Sequence, residues 1–303
     1  MNRAFNILVF ISFFCFTVFL CLSANAGQDE PSDHGDDRPH IALGIESRFA
    51  PGVDIKDLQI AISLMVKELG EKAKIGAKSY IYKDPQRMMK EVKKGKLDLV
   101  LTTSSNYLYY RKQVELELAF AALYGGVKTQ RYQVLVRSDS NVATIKDLKG
   151  QRLAMMKDNP IGHIYLNTLL LRSKQQKIDG FFLSVIEKTK YSLAILAVFF
   201  GKADACVATE GVFKTMVELN PQLGKTLKVI DSSPEIMEKV AVFRKGYNKK
   251  LKNLISALAL DQHKTSRGKQ ILLLFKTDRL FMVEESDLEG MKKLYSEYEK
   301  LTN

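Results

Sequence analysis

The stretch Gly95-Lys96-Leu97-Asp98-Leu99-Val100-Leu101-Thr102-Thr103-Ser104-Ser105 decides the fold. A helical pattern ends at Gly95, as helices commonly end at glycine. A near-continuous apolar run, Leu97–Leu101, then has the look of a strand buried on both faces. It stops in four consecutive hydroxyl residues. The same arrangement returns at Gly201-Lys202-Ala203-Asp204-Ala205-Cys206-Val207-Ala208-Thr209-Glu210-Gly211. Ligands of open α/β sheets sit at the carboxyl ends of strands. Two such units therefore predict two similar α/β lobes, each offering a polar strand end to a shared cleft.

The chain around each copy supports this reading. Before the first copy come a strand at His40–Ile45 and a helix capped by Asp54 and running through Leu69. A strand at Lys78–Tyr82 follows, and then a helix begun by Asp84-Pro85, with proline in its first turn. This βαβαβ order implies a parallel sheet with right-handed crossovers. The second copy follows a strand at Arg152–Met156, a helix at Ile161–Ser173, a strand at Gly180–Val185 and a helix at Tyr191–Phe200. A helix to Leu219 and a strand at Leu227–Ile230 complete that lobe. Val240–Phe243 re-enters the first lobe, followed by helices near Lys249–Leu260, Ser266–Leu274 and Glu285–Leu301. The expected organisation is a discontinuous first lobe, residues 40–134 and 232–303, and an inserted second lobe, residues 135–231. Two crossings, near residues 131–138 and 230–235, are expected to make two hinge strands.

The chain has 303 residues, enough for two such cores, with 46% hydrophobic and 26% charged residues. Its net charge of +12 raises the question of nucleic acid. The basic residues are scattered over helical faces, however, without interleaved aromatics or a nucleic-acid motif, so no nucleic-acid partner is expected. Anionic ligands or an anionic surface suit the charge better.

Residues 1–26 look like a secretory signal: Arg3, then the uncharged stretch Asn6–Leu22, then Ala24-Asn25-Ala26 as a cleavage site. Cleavage after Ala26 is the expectation. An uncleaved anchor and lipidation at Cys21 are the alternatives, and Val18-Phe19-Leu20 are bulky for the latter. Residues 27–39 form an acidic leader expected to be flexible. Cys206 is the one cysteine beyond the signal, so no internal disulfide is expected. No Cys/His cluster has metal-ligand spacing, and no metal or other cofactor is expected.

The run Val136-Arg137-Ser138-Asp139-Ser140-Asn141-Val142-Ala143-Thr144-Ile145-Lys146-Asp147-Leu148-Lys149-Gly150-Gln151-Arg152-Leu153-Ala154 resembles the hinge-to-second-lobe passage of periplasmic solute-binding proteins. The closest branch is the phosphonate/phosphate type of the type 2 fold. Gly201-Lys202-Ala203-Asp204-Ala205 and Gly268-Lys269-Gln270-Ile271-Leu272-Leu273-Leu274-Phe275 are similar to pieces that recur in that family. The resemblance spans about residues 40–295. It implies two Rossmann-like lobes joined by two hinge strands, a small solute in the interlobe cleft, an inner-membrane ABC permease as partner, and a monomer. Tyr107 matches a tyrosine that follows the family's first-lobe strand. The ligand motifs differ. A Ser-Thr-Ser-Gly loop in the family is Asn159-Pro160-Ile161-Gly162 here, which lacks the hydroxyls and one N–H. A Ser-His pair is Lys190-Tyr191.

Candidate ligand contacts follow from strand ends and helix starts. Thr102, Thr103, Ser104 and Ser105 offer hydroxyl and backbone donors, or serve only as helix caps. Phe49 and Tyr107 are candidate cleft walls, or plain packing. Asn159, Gly162 and His163 open the second lobe's first helix, although His163 can equally face solvent. Tyr191, Thr209 and Glu210 complete the set. A carboxylate at Glu210 would disfavour a dianion and receive a cationic group, which points to an anionic or zwitterionic solute. No nucleophile elbow or phosphate loop is present, so binding rather than catalysis is expected. A sensory protein acting in trans on a membrane receptor, or a cofactor-independent enzyme on the same fold, are the competing readings.

Overall fold

The computed structural model describes residues 39–49, 54–275 and 277–302. The signal, the leader as far as residue 38, and the cleavage site lie outside the described residues.

The first sheet is built from β1 (His40–Glu46), β2 (Gly76–Tyr82), β3 (Leu99–Thr103) and β4 (Leu116–Leu118), with helices α1 (Ile55–Ala73), α2 (Pro85–Lys93) and α3 (Ser104–Tyr110) between them. A short strand β5 (Phe120–Leu123) leads out of it. The second sheet holds β6 (Tyr132–Arg137), β7 (Arg152–Met156), β8 (Ser184–Lys188), β9 (Ala205–Thr209) and β10 (Leu227–Ser232). Helices α4 (Pro160–Arg172), α5 (Ile178–Phe181), α6 (Tyr191–Phe199), α7 (Glu210–Leu219) and α8 (Pro221–Thr226) surround it. The chain then returns through β11 (Lys239–Arg244), α9 (Lys249–Leu260), α10 (Ser266–Leu274), β12 (Arg279–Met282) and α11 (Glu289–Thr302).

The two sheets share one plan. The first has the order β2-β1-β3-β11-β4 and the second β10-β6-β9-β7-β8. In each, a parallel core (β2, β1, β3; β8, β7, β9) meets an antiparallel strand: β11 beside β3 and β6 beside β9. These antiparallel partners are the strands adjoining the crossings. The crossings are themselves paired: Gln130 and Ile236 exchange both backbone hydrogen bonds, each 2.8 Å.

The repeated Gly-Lys-x-Asp has a shared structural purpose. Gly95 and Gly201 adopt φ of +74° and +67°, the left-handed region that glycine enters without penalty. The aspartate then clasps the neighbouring parallel strand. Asp98 donates its N–H to the Ala42 carbonyl and accepts the Ala42 N–H on Oδ2, both at 2.9 Å. Asp204 does the same with Arg152, at 2.9 and 2.8 Å. Each carboxylate also holds an arginine, Arg244 for Asp98 and Arg152 for Asp204.

Strand β3 buries all five residues and so does β9, as the apolar runs predict. Leu99, Leu101, Ile41, Leu43 and Ala241 face α1 and α9, while Val100, Ala42 and Val240 face α2 and the opposite core. The expected strand at Gly180–Val185 is corrected. Ile178–Phe181 forms a helical turn, and β8 begins at Ser184. The Asn167 side chain accepts the Ile178 N–H, and Phe181 and Phe182 are buried, which fixes the turn.

Candidate functional site

A cavity of about 1160 Å³ lies where the strand ends of the two lobes face one another. Thr103 closes β3 and Thr209 closes β9. Both are 5% exposed, both are helix N-caps, and both line the cavity. The two copies of the repeated stretch therefore present matched threonines from opposite lobes. Beside them in register stand Lys239, opposite Thr103, and Tyr132, opposite Thr209.

The second lobe contributes the starts of three helices. Pro160 and Ile161 of α4, Tyr191 of α6 and Gly211 of α7 all line the cavity. Neither Lys190 nor Thr209 makes a side-chain cap to its helix. The first-turn N–H groups and the helix dipoles of α6 and α7 therefore favour negative charge there. Asn159 is 3% exposed. Its Oδ1 accepts the Gly162 N–H at 3.0 Å, while its Nδ2 is a buried donor without a partner. Gly162 makes this geometry possible, because a Cβ there would collide with the Asn159 amide.

The first lobe supplies Arg48, Phe49, Tyr124, Glu238 and Lys239. The Lys239 ammonium lies 5.4 Å from the Phe49 ring centroid and 5.5 Å from that of Tyr124, a pair of cation–π contacts that hold it in place. Glu238 accepts a 2.5 Å hydrogen bond from the Tyr132 hydroxyl, and Tyr191 meets the same hydroxyl at 3.3 Å. Burial, reinforced by the Glu238 charge, pushes the Tyr132 and Tyr191 phenols well above their ordinary range, so both remain protonated donors.

Of the residues expected from sequence, the structure brings together Phe49, Thr103, Asn159, Tyr191 and Thr209 around the cavity. The others sit elsewhere. Thr102 donates to the buried Glu46 carboxylate on the opposite face of the first sheet, and Asn106 donates to both of that carboxylate's oxygens at 3.0 Å. Desolvation raises the Glu46 pKa despite these bonds. Ser104 and Ser105 are buried; the Ser104 N–H is taken by the Glu238 carbonyl, and the Asn106 N–H by the Thr103 hydroxyl. Tyr107 is 2% exposed and donates to Glu285 at 3.0 Å, with Arg111 over its ring. Gly162 acts through Asn159, and His163 is exposed. Glu210 pairs with Lys214 at 2.7 Å and approaches Arg131 at 3.9 Å. The carboxylates lining the cavity are Asp57, Asp158 and Glu238 rather than Glu210. Glu238, Lys239 and Tyr132 were missed because they come from the crossings and the start of the returning strand, and Tyr124 because it follows the short strand β5, where no local motif marks them.

Two α/β lobes, paired crossings and a cavity at facing strand ends define a solute-binding protein of the type 2 periplasmic fold. Residues 49–288 match the phosphonate ABC transporter periplasmic substrate-binding protein family, and the chain belongs to it. It is thus the substrate-binding component of an importer. No curated protein matches the chain. Among solved structures, it is similar to a binding-protein component of an ABC phosphonate transporter from Pseudomonas aeruginosa (15% identity, 88% of each chain covered, TM-score 0.63). It is also similar to PhnD1 from Prochlorococcus marinus, solved in complex with methylphosphonate (17% identity, 86% and 98% covered, TM-score 0.61). A third is the periplasmic aliphatic sulphonate binding protein SsuA from Escherichia coli (13% identity, 86% and 92% covered, TM-score 0.52). At these identities the likeness is one of fold.

Proposed function

We propose that this binding protein takes a phosphonate-like anion, with its head group held between Lys239 and Thr103 of the first lobe and the helix starts of the second. The observation that carries this reading is the buried, unpartnered Nδ2 of Asn159. An unpaired buried donor costs about 1–3 kcal/mol, which an anionic oxygen accepting that N–H would offset. The helix starts of α6 and α7 and the Lys190 and Lys239 side chains add positive potential on a cavity that Asp57, Asp158 and Glu238 also line. The Glu238 carboxylate extends the reading to zwitterions, since an ammonium group carried by the anion would meet it. Five of the sequence-derived contacts, Phe49, Thr103, Asn159, Tyr191 and Thr209, belong to this site.

Titration calorimetry with methylphosphonate, 2-aminoethylphosphonate, phosphate and sulfate tests the proposal. Asn159→Asp replaces the donor by a carboxylate and is expected to weaken the best of these anions by tenfold or more. Affinity unchanged in Asn159→Asp would remove the helix-start site. Delivery to a permease by a monomer, after secretion with cleavage after Ala26, completes the proposal. The basis for secretion is the run Asn6–Leu22 followed by Ala24-Asn25-Ala26. Mass spectrometry of the exported protein locates the cut.

A further inference from the structure

The cavity is larger than a phosphonate head requires, and many of its lining residues lie away from the head-group residues. Packed protein interiors hold few voids larger than a water molecule, and pockets for drug-sized ligands span about 300–1,000 Å³. Here the cavity passes Phe49 and Thr103 and continues into the first lobe, between the sheet and its covering helices. Leu43 and Leu101 form its floor, Leu58 and Ile62 of α1 one wall, and Ile255 and Ala259 of α9 another.

A second observation marks this inner part as a place for a guest. Gln262, between α9 and α10, lines the same cavity, is 2% exposed, and has no hydrogen-bond partner for either Nε2 or Oε1. Buried amides in folded proteins are normally paired. A donor and an acceptor left open together, in apolar surroundings, suit a guest that offers both functions, such as a hydroxyl or an amide.

We propose that the natural solute is an amphiphile: an anionic head in the interlobe cleft and an apolar chain running beneath α1 into the first lobe, carrying a hydroxyl or amide that meets Gln262. This rests on the anion reading above for the head, and adds the tail. Burying each methylene contributes about 0.8 kcal/mol, close to a fourfold gain in affinity per carbon. A chain confined to the cleft mouth would gain little beyond its first carbons, whereas one entering the lobe gains with each carbon that enters.

The test uses purified protein dialysed free of small molecules, with two series of ligands measured by calorimetry: n-alkylphosphonates and n-alkanols, each from one to eight carbons. The expected result is a rise of about fourfold per methylene in both series, with the phosphonates tighter at every length. Ala259→Phe, which fills the inner cavity, is expected to flatten the rise; its thermal unfolding curve reports whether it folds. If it does not fold, Ala61→Leu is read the same way. Methylphosphonate binding with no rise along the series overturns the tail and leaves the head reading intact. A rise in both series with no advantage for phosphonates keeps the tail and overturns the head. Binding of neither series overturns both. A folded filling variant that keeps the full rise overturns the placement of the chain under α1. Gln262→Leu is expected to keep the rise for plain chains and to lose any preference for hydroxylated or amide-bearing ones. A preference that survives in Gln262→Leu removes Gln262 from the site.

Discussion

Replacing Asp98 by alanine is expected to destabilise the protein about twice as much as replacing Asp204, although both occupy the same place in the repeated motif. Asp98 lies where β1, β3 and β11 meet. Its Oδ2 accepts the Ala42 N–H at 2.9 Å and its Oδ1 accepts Arg244 Nε at 2.9 Å, with the carboxylate side chain only 5% exposed. Alanine leaves the Ala42 N–H without its acceptor in a buried strand, at about 1–3 kcal/mol. It also deprives Arg244 of its partner; that side chain is 30% exposed and recovers part of the loss from water, so about 1 kcal/mol more is expected. The total is about 3 kcal/mol. Asp204 makes equivalent bonds to the Arg152 N–H and guanidinium, but its side chain is 30% exposed and that of Arg152 41%. Water replaces most of what is lost there, and about 1.5 kcal/mol is expected. At roughly 2–4 °C per kcal/mol for a protein of this size melting as one cooperative unit, Tm falls by roughly 6–12 °C for Asp98→Ala and 3–6 °C for Asp204→Ala. Circular dichroism melts of both variants and of Asp98→Asn supply the comparison. Asp98→Asn keeps an acceptor for Ala42 and should fall between wild type and Asp98→Ala. Equal losses at Asp98 and Asp204, or an asparagine as costly as the alanine, would refute the argument that burial sets the difference.

Three further outcomes follow from the same geometry. Lys239→Met is expected to weaken anion binding several-fold and to reduce its dependence on salt, measured by calorimetry at two ionic strengths, because the cation held between Phe49 and Tyr124 is lost. Gly162→Ala, which adds no charge and does not itself line the cavity, should also weaken binding by displacing the Asn159 amide; an unaltered affinity in a folded Gly162→Ala protein contradicts that coupling. Burial raises the folded-state pKa of Glu46, so its contribution to stability is fully present below the unfolded value and is lost as pH rises through the folded one. Urea melts should therefore show wild type gaining on Glu46→Gln as pH falls from 7 toward 5, and a gap that does not move with pH would contradict it.

Much of the architecture was legible because it is local. Glycine-ended helices, an aspartate three residues on and an unbroken apolar strand recur twice, and each is a short-range pattern. The threonines ending those strands could be placed at the cleft for the same reason. What was not legible depended on register and helical phase. Lys239 reaches the site only because β11 pairs with β3 so that it lies opposite Thr103. Tyr107 was expected in the cleft, but α3 turns it toward Glu285, far along the chain, and nothing near residue 107 signals that partner. Glu210 carried a readable warning, since Lys214 stands one helical turn later and captures it. The sequence places a strand at Gly180–Val185 because two adjacent phenylalanines resemble a strand run, yet Gly180 and Phe181 end a helical turn; the Asn167 side chain that accepts the Ile178 N–H lies on another helix.

The paired crossings have a mechanical consequence. Gln130 and Ile236 hold each other by two backbone hydrogen bonds, so the two connections form a narrow ribbon rather than two independent tethers. A ribbon bends readily across its flat face and resists sliding of one edge past the other, because sliding breaks both bonds at once. The element joining the two lobes is thereby softest to bending.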